Sequence, residues 1–422
     1  MKKTRIAAID IGTAKICTIM ADTNGSGVLR ILGIGTAASR GLEKGVIVNT
    51  KDATAAISQS VRKAERMAGC RLKSAYAGVS GEGMSSLNNF GVISIPHDDQ
   101  LVRVADRKRA FEVARSVDVP DEQMLLHVIP RSYTIDGQGN IKDPIGMHGF
   151  RLNVETHIVT VSATSVHDLI KCIMSLGIGI DGLVLKSLAS AEAVLTKDER
   201  QNGVMLVDIG SGTTNVAIFK DGSVCHTATL PVGGDNVTND VALGFGFPLD
   251  LAEEIKTKYG NITPSEKDGD DVTVTESGHS VSYHDLREII SARVEELLQL
   301  ILIQVEGTGY TKAIPSGLVL TGGSCNLPGI AELGHKVTKI PVRVGTPVNT
   351  DSGLCDPAYA TSIGLIYWKM KNKGLQDWQT KRWSPHVLVP RFLGYFNSKN
   401  ALLNSRSKEM KDGKSKLRTQ PS

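Results

Sequence analysis

Two stretches of this chain, "IAAIDIGTAKICTIM" at 6–20 and "MLVDIGSGTTNVAIF" at 205–219, carry the same pattern about two hundred positions apart. Each is an apolar run, then Asp-Ile-Gly, then small hydroxyl or glycine residues, then a second apolar run. The first run reads as a strand that delivers an aspartate to its end. Glycine lets the chain turn tightly with backbone N–H groups facing open space, and a second strand returns. One such unit is also what an ordinary β-hairpin turn looks like, since Asp and Gly are common turn residues. Two units, each opening one half of the chain, constrain the fold more strongly. They predict an α/β protein of two related lobes that close on one ligand, each lobe bringing a turn and an aspartate. Backbone N–H groups and a Ser or Thr hydroxyl suit phosphate oxygens, and a carboxylate suits a hydrated Mg2+. Lys15 adds positive charge beside the first turn.

Around these phrases the chain alternates strand-like and helix-like text. Residues 5–50 read as strands separated by Gly-rich turns. An amphipathic helix is expected over about 52–69, with Ala53, Ala56, Ile57, Val61, Ala64 and Met67 on its apolar side. "SAYAGVSG" at 74–81 reads as a buried strand, and 84–162 as an α+β insert containing a basic helix around 107–115. After the second phrase come a polar loop at 260–280, a long helix from Asp285 to about Val305, and a last helix ending near Met370. Two Gly-Gly pairs stand at element ends. "LPVGGDNV" puts Gly233 and Gly234 before a helix capped by Asp235, where bare N–H groups at a helix N-terminus attract phosphate. "LVLTGGSCNLPGI" puts Gly322, Gly323 and Ser324 at a strand end, where a flat ligand can approach the backbone. Each pair alone is equally a plain turn. Neither G-x-x-x-x-G-K-[ST] nor a strand–G-x-G-x-x-G–helix unit occurs, so a P-loop fold is excluded.

At 422 residues, with 41% hydrophobic and 22% charged positions, the chain is long enough for two or three domains with cores of their own. A net charge of +4 is small for that length and gives no reason to expect nucleic acid. The six cysteines are scattered singly, with no C-x-x-C and no His at a zinc spacing, which fits small buried hydrophobes in a reducing compartment. "MKKTRIAAID" begins like a secretory leader, but Asp10 and Lys15 interrupt any apolar segment, and no run reaches the roughly 18 apolar residues of a spanning helix. The chain is therefore expected to start and stay inside the cell.

With these motifs in this order, the chain resembles the actin-like ATPase superfamily. The phrases at 6–20 and 204–219 look like its two phosphate loops, 316–330 like its adenosine motif, and 182–195 and 356–369 like its two connecting helices. Finer text, "IGTAASRGLEKGVIVN", "AERMAGCRLKSAYAGVSG" and "VLTGGSCNLPGIAELGHKV", is similar to one branch, the FtsA family of bacterial cell division. The resemblance covers roughly residues 4–370. It implies a two-lobed actin-like (ribonuclease H-like) fold. The first lobe core would be 1–83 and 163–200, the inserted subdomain 84–162, the second lobe core 201–232 and 302–370, its accessory subdomain 233–301, and a flexible linker and tail 371–422. It implies ATP with Mg2+ in the interlobe cleft. Asp10 and Asp208 would face the metal's waters, and Gly12, Thr13, Lys15, Gly210, Gly212 and Thr213 would hold phosphates. Gly233, Gly234, Gly322, Gly323 and Ser324 would line the rest of the nucleotide site. Glu253 and Lys256, in "LAEEIKTKYG", match an E-x-x-K motif that reaches the ribose and base; the bland alternative is a solvated helix pair. One departure stands out. DnaK-type chaperones open the first connecting helix with Glu-Pro, and that Glu helps position the attacking water. This chain has Lys186 and Ser187 there. A cation cannot accept a hydrogen bond from water, so ATP binding with slow or no turnover is expected.

Two partner surfaces follow. In "HDLREIISARVEELLQLI", Leu286, Ile290, Leu297 and Ile301 share one stripe, with Arg293 inside it and Glu296 beside it. Arg293 and Glu296 read either as a snorkelling arginine with a local ion pair or, by resemblance, as the pair that holds the C-terminal peptide of the tubulin-like protein FtsZ. In "VPRFLGYFNSKNALL" (389–403), Phe392, Phe396 and Leu403 cluster on one helical face with Leu393 flanking. Basic residues follow, and Gly394 and Lys399 weaken the pattern. This segment is either the amphipathic anchor to inner-membrane lipids that the family implies or part of a disordered tail. The resemblance further implies actin-like protofilaments of the chain with itself, contacts of the insert with later divisome proteins, and a peripheral position on the cytoplasmic face of the inner membrane at midcell. The competing functions are a chaperone or kinase ATPase of the same fold and a pilus-assembly relative.

Overall fold

The computed structural model describes residues 4–371, apart from 24–28, 82, 264–270, 275–278, 311–313, 349 and 351. Phe392, Leu393, Phe396, Leu403 and the basic tail lie outside the described residues.

The doubled phrase is the visible part of a larger repeat. One five-stranded sheet has the spatial order Gly179–Leu185, Ser74–Val79, Thr4–Ile11, Lys15–Thr23, Leu29–Ala38. The other has the order Val342–Val344, Leu318–Thr321, Val204–Ile209, Thr214–Lys220, Ser223–Leu230. In both sheets the phrase strand lies in the middle. It pairs antiparallel with its hairpin partner, which pairs antiparallel with the edge strand. On its other side it pairs parallel with one later strand, which pairs parallel with another at the sheet edge. The central strands are buried along nearly their whole length, as strands covered on both faces must be.

Each lobe's last strand leads to a helix, Lys186–Val194 in the first lobe and Ala360–Lys371 in the second. These two helices pack on each other. Ala360–Lys371 also lies against Thr4–Ile11 and Ser74–Val79, while Lys186–Val194 lies against Val204–Ile209 and Thr214–Lys220. Each helix thus reaches the opposite lobe's sheet, and the approach between them is very close. A Cβ at Gly364 would lie 1.9 Å from the carbonyl oxygen of Ala189, so only glycine fits that crossing.

The expected helix after the first sheet spans Thr50–Ala68. Asn49 caps it, its side chain accepting from the N–H groups of Lys51 and Asp52. Ala53, Ala56, Ile57, Val61 and Ala64 are buried on the sheet, but Met67 is exposed: at the last turn Ala68 meets the edge strand at Gly33, and Met67 lies to the side with its Sδ accepting from Ile34 N–H at 3.4 Å. The long helix is Tyr283–Glu306. The stretch expected as a polar loop at 260–280 contains strand Asp271–Val274, paired antiparallel with His279–Ser282. Its alternating Val and Thr residues give a period of two beneath a polar composition.

The insert forms a separate sheet, ordered Ser85–Ser94, Arg151–Ser162, Gln123–Ile135, Gln138–Ile141, with helix Val104–Arg115 on one face. On its other side it meets the second lobe's edge strand. Ser86 Oγ donates to the carbonyl of Thr227 at 2.8 Å, and Asn88 Nδ2 to that of Cys225 at 3.0 Å. Among the described residues no helix is long and apolar enough to cross a membrane.

Candidate functional site

The two hairpins are built to one plan. Asp10 pairs with Cys17 and Ile11 with Ile16; Asp208 pairs with Asn215 and Ile209 with Thr214. The first turn is closed by Gly12 N–H donating to the Lys15 carbonyl at 3.0 Å, the second by Gly210 N–H donating to the Thr213 carbonyl at 2.9 Å. Lys15 of the first turn and Thr213 of the second are therefore equivalent positions. Both turns open into one cavity of about 320 Å3 between the sheets. Asp10, Gly12, Thr13, Lys15, Asp208, Gly210, Thr213, Gly234, Glu253, Lys256, Gly322, Gly323 and Ser324 all line it.

Gly212 and Gly233 do not line this cavity. Gly212 faces the first turn, where a Cβ would fall 2.8 Å from Thr13 Oγ1, so it marks the place where the two jaws touch. Gly233 is packed on the second turn, where a Cβ would lie 2.5 Å from the Ser211 carbonyl oxygen. The helix that follows, Gly234–Phe245, differs from expectation in the same way. Its first N–H groups are not bare. Gly234 N–H donates to the Gly210 carbonyl at 2.9 Å and Asp235 N–H to the Ser211 carbonyl at 2.8 Å. Asn236 rather than Asp235 serves the cap, its Oδ1 accepting from Gly233 N–H at 3.0 Å. The Asp235 carboxylate instead accepts from the Ser211 hydroxyl. The helix start thus braces the second turn.

The two aspartates sit in different surroundings. Asp208 Oδ2 accepts from Ser190 Oγ at 2.7 Å and Thr361 Oγ1 at 2.9 Å, hydroxyls from the two crossing helices. Burial pushes the Asp208 carboxyl above its usual range, and those two hydroxyls pull it part of the way back. Asp10 Oδ2 accepts from Ser362 Oγ at 3.3 Å, and Lys186 Nζ lies 3.0 Å from Asp10 Oδ1. The Lys186 ammonium also donates to the Ile11 carbonyl at 2.7 Å. Despite the nearby ammonium, Asp10 Oδ1 has no directed hydrogen bond and is buried between Lys186 and Gly78. Ser190, Thr361, Ser362 and the Lys186–Asp10 pair were not assigned from sequence. The serines and threonine sit among Ala and Gly in the connecting helices, where small hydroxyl residues on closely packed helices are the available clue.

Around the rim, Lys15 Nζ lies 4.2 Å from the centre of the Tyr359 ring. Glu253 and Lys256, on helix Leu249–Tyr259, form an ion pair at 2.5 Å. Lys256 Nζ also donates to Thr238 Oγ1 at 2.8 Å, and Thr238 donates to Glu253. Ser324 Oγ donates to the Gly210 carbonyl at 2.9 Å. Gly322 has φ +93°, and a Cβ there would lie 2.5 Å from Asp208 Oδ1. Glycine is required at that point for both reasons. Nothing but Ala358 Cβ, at 3.8 Å, stands near Gly323, which leaves a flat open wall.

These features fit a nucleotide. Two Gly turns, a glycine wall, three lysines and the carboxylates of Asp10 and Asp208 line one cavity. Among the described residues no group of three or more His, Cys, Asp or Glu side chains is arranged to hold a metal ion.

Arg293 and Glu296 lie on helix Tyr283–Glu306 away from the cavity. The buried face of that helix includes Val294, Leu298 and Val305 as well as the expected stripe, so its centre is rotated and Arg293 falls at the edge instead of inside. There Arg293 clasps Asp240 of helix Gly234–Phe245 with two N–H groups, Nε–Oδ2 2.5 Å and Nη2–Oδ1 2.9 Å, and a third donates to Glu296.

A family model described as cell division protein FtsA matches residues 205–364, and one described as the SHS2 domain inserted in FtsA matches residues 81–160. Cell division protein FtsA of Pseudomonas aeruginosa is 38% identical over 87% of this chain and 90% of that protein. Its namesake in Escherichia coli K12 is 34% identical over 86% of this chain and 90% of that protein. Among solved structures, a PilM–PilN type IV pilus biogenesis complex has a TM-score of 0.58 at 17% identity, over 85% of this chain and 97% of that one. MreB5 of Spiroplasma citri bound to AMPPNP has a TM-score of 0.51 at 13% identity, over 88% and 98%. Those two likenesses show the actin-like fold alone. The two FtsA proteins, each matched over 90% of its length, show more: this chain is a cell-division protein of the FtsA family.

Proposed function

We propose that this chain binds ATP with Mg2+ in the cavity between its lobes and tethers the FtsZ ring to the inner membrane, polymerising there and helping to recruit later divisome proteins. The observation that carries the nucleotide reading is the pair of equivalent hairpins whose aspartates face one cavity. Gly12, Thr13, Lys15, Gly210 and Thr213 would surround the phosphates, with Gly212 at the contact between the two turns. Gly322, Gly323 and Ser324 form the flat wall for the base. Glu253 and Lys256 stand at the far end for the ribose and base. Asp10 and Asp208 would hold the metal's waters, and the bound metal would neutralise phosphate charge. The solved MreB5 structures with ADP and AMPPNP support a nucleotide on this fold. Turnover is slow in this reading, because Lys186 stands where a water-positioning carboxylate would be needed. ATP hydrolysis at the rate of a metabolic kinase, abolished by Asp208→Ala, would overturn that.

For the partner, Arg293 and Glu296 present a charged, partly exposed edge to the FtsZ C-terminal peptide. Arg293 is already clasped by Asp240, so the peptide would meet an arginine held in place in advance. Unchanged peptide binding by Arg293→Glu sinks this assignment. For the membrane, residues 389–403 with Phe392, Leu393, Phe396 and Leu403 serve as the anchor. Flotation with anionic liposomes, comparing the full chain with one ending at 389, decides it: retained binding by the shorter chain rejects the anchor. In the same reading the first lobe core is 1–83 and 163–200, the second lobe core 201–232 and 302–370 with 233–301 as its accessory subdomain, and the insert 84–162 is the docking module for later division proteins.

A further inference from the structure

We propose that Lys186 supplies part of the positive charge that a divalent cation would otherwise bring, so that this cleft holds the phosphates of a nucleoside triphosphate with little dependence on Mg2+. The proposal rests on the nucleotide reading above and concerns a residue of this chain, not the metal.

Lys186 is the first residue of helix Lys186–Val194, whose first turn has no acidic residue. A cation at a helix N-terminus faces the positive end of the helix dipole, so local structure gives no reason for a lysine there. Its side chain is only 9% exposed, and burying an ammonium is costly unless it is matched. The match comes from across the lobe: Asp10 Oδ1 at 3.0 Å and the Ile11 carbonyl at 2.7 Å. The stem is held as well. A Cβ at Gly78 would lie 3.3 Å from Lys186 Cγ and 3.4 Å from Cε, so glycine at 78 leaves the side chain its track beside the phosphate turn. An ammonium has three N–H donors. The two contacts with the end of strand Thr4–Ile11 leave a third, at a position that lines the cavity.

Charge in the cavity wall points the same way. The ionisable side chains lining it are Asp10, Asp208 and Glu253 against Lys15, Lys186 and Lys256. Lys256 is matched by Glu253, and Lys15 lies over Tyr359. Lys186 is therefore what takes the Asp10–Asp208 pair from two negative charges to one. Asp10 Oδ1, a buried oxygen without a directed hydrogen bond, has the ammonium as its nearby charge. A fixed cation already stands where metal charge is needed.

The test is ATP binding by the full-length protein, measured calorimetrically with Mg2+ and with EDTA. Wild type is expected to lose less than about fivefold in affinity on chelation, and Lys186→Gln about fiftyfold or more, because removing a buried unit charge leaves two facing carboxylates to repel the phosphates. Lys186→Arg, which keeps the charge, should stay close to wild type. A wild-type loss of about fiftyfold on chelation would refute the role of Lys186 while leaving the nucleotide reading intact. No ATP binding under either condition would refute both. The wild-type comparison stands even if Lys186→Gln folds poorly, which thermal unfolding would show.

Discussion

Two buried histidines make the stability of this protein depend on pH in a window that few other groups share. His127, on the insert strand Gln123–Ile135, accepts the Leu185 N–H with Nε2 at 3.0 Å. His157, on strand Arg151–Ser162, bonds Asn88 Oδ1 at 2.8 Å and Thr227 Oγ1 at 3.1 Å. Burial pushes His127 down to about 3. It also pushes His157 down to about 3, with the charges of His226, Arg131 and His127 adding to the effect. In the unfolded chain each would titrate near 6.5. Both folded values are depressed, so the stability these groups contribute is fully present above about pH 6.5 and is lost as pH falls from there towards 3. At pH 5 the unfolded chain is about 1.5 pH units below its pKa, which costs about 2 kcal/mol per histidine and about 4 kcal/mol for the pair. That is a large share of an ordinary folding free energy of about 5–15 kcal/mol. Against the upward push of burial, Arg200 and Lys371 hold Glu192 below the usual carboxylate range, and Arg343 does the same for Glu199; the stability they contribute is lost as pH falls through and below that range. Asp208, raised by burial, works in the opposite direction, so single-histidine variants give the cleanest reading. Urea unfolding followed by circular dichroism at pH 7 and pH 5 measures the loss. His127→Gln keeps an acceptor for Leu185, and both it and His157→Gln should shrink the pH 7-to-5 loss by about 2 kcal/mol. If both variants lose as much as wild type, the buried neutral histidines are not the cause.

Gly364→Val places a side chain where a Cβ is 1.9 Å from the Ala189 carbonyl oxygen, and should lower stability in the same assay by about 3 kcal/mol or more; a loss under about 0.5 kcal/mol would mean that the crossing helices part easily. A double-mutant cycle on Arg293→Ala and Asp240→Ala should give a coupling of about 1 kcal/mol, since the pair is bidentate but partly exposed; zero coupling would refute the clasp. Ser190→Ala with Thr361→Val strips Asp208 of both hydroxyl donors and should weaken ATP binding with Mg2+ about tenfold with little change in fold, as circular dichroism would verify. Unchanged affinity would remove Asp208's environment from the account of the site.

What could be read from sequence was what is written locally. The doubled phrase gave both hairpins, because strand, aspartate, glycine and returning strand are neighbours in the chain. The helix over 50–68 followed from its period of apolar residues. What escaped was decided by partners far away. Asp235 has the residue type and place of a cap, but the Ser211 hydroxyl takes its carboxylate. Gly233 and Gly234 look like an open anion site, but the carbonyls of the second turn and Asn236 use the N–H groups. Arg293 falls inside an apolar stripe by sequence spacing, and its partner Asp240 comes from another helix.

The same distinction explains why two nearly identical hairpins do not make two identical half-sites. Backbone register, turn closure and the position of the aspartate are repeated in both. The groups that meet each carboxylate belong to the crossing helices, and those helices differ in sequence. Helix Lys186–Val194 gives Asp10 an ammonium and Asp208 the Ser190 hydroxyl. Helix Ala360–Lys371 gives Asp208 the Thr361 hydroxyl and Asp10 the Ser362 hydroxyl. Each helix therefore serves both aspartates, and any sliding at the Gly364–Ala189 crossing changes both sets of contacts together. Asp10 depends on a charge at the helix's first residue, while Asp208 depends on neutral donors nearer the crossing. A movement that withdraws Lys186 would expose negative charge on the first jaw, whereas loss of Ser190 and Thr361 would leave a buried carboxylate on the second without its hydrogen bonds. The repeat supplies the shape of the cleft, and the two unequal helices determine the charge inside it.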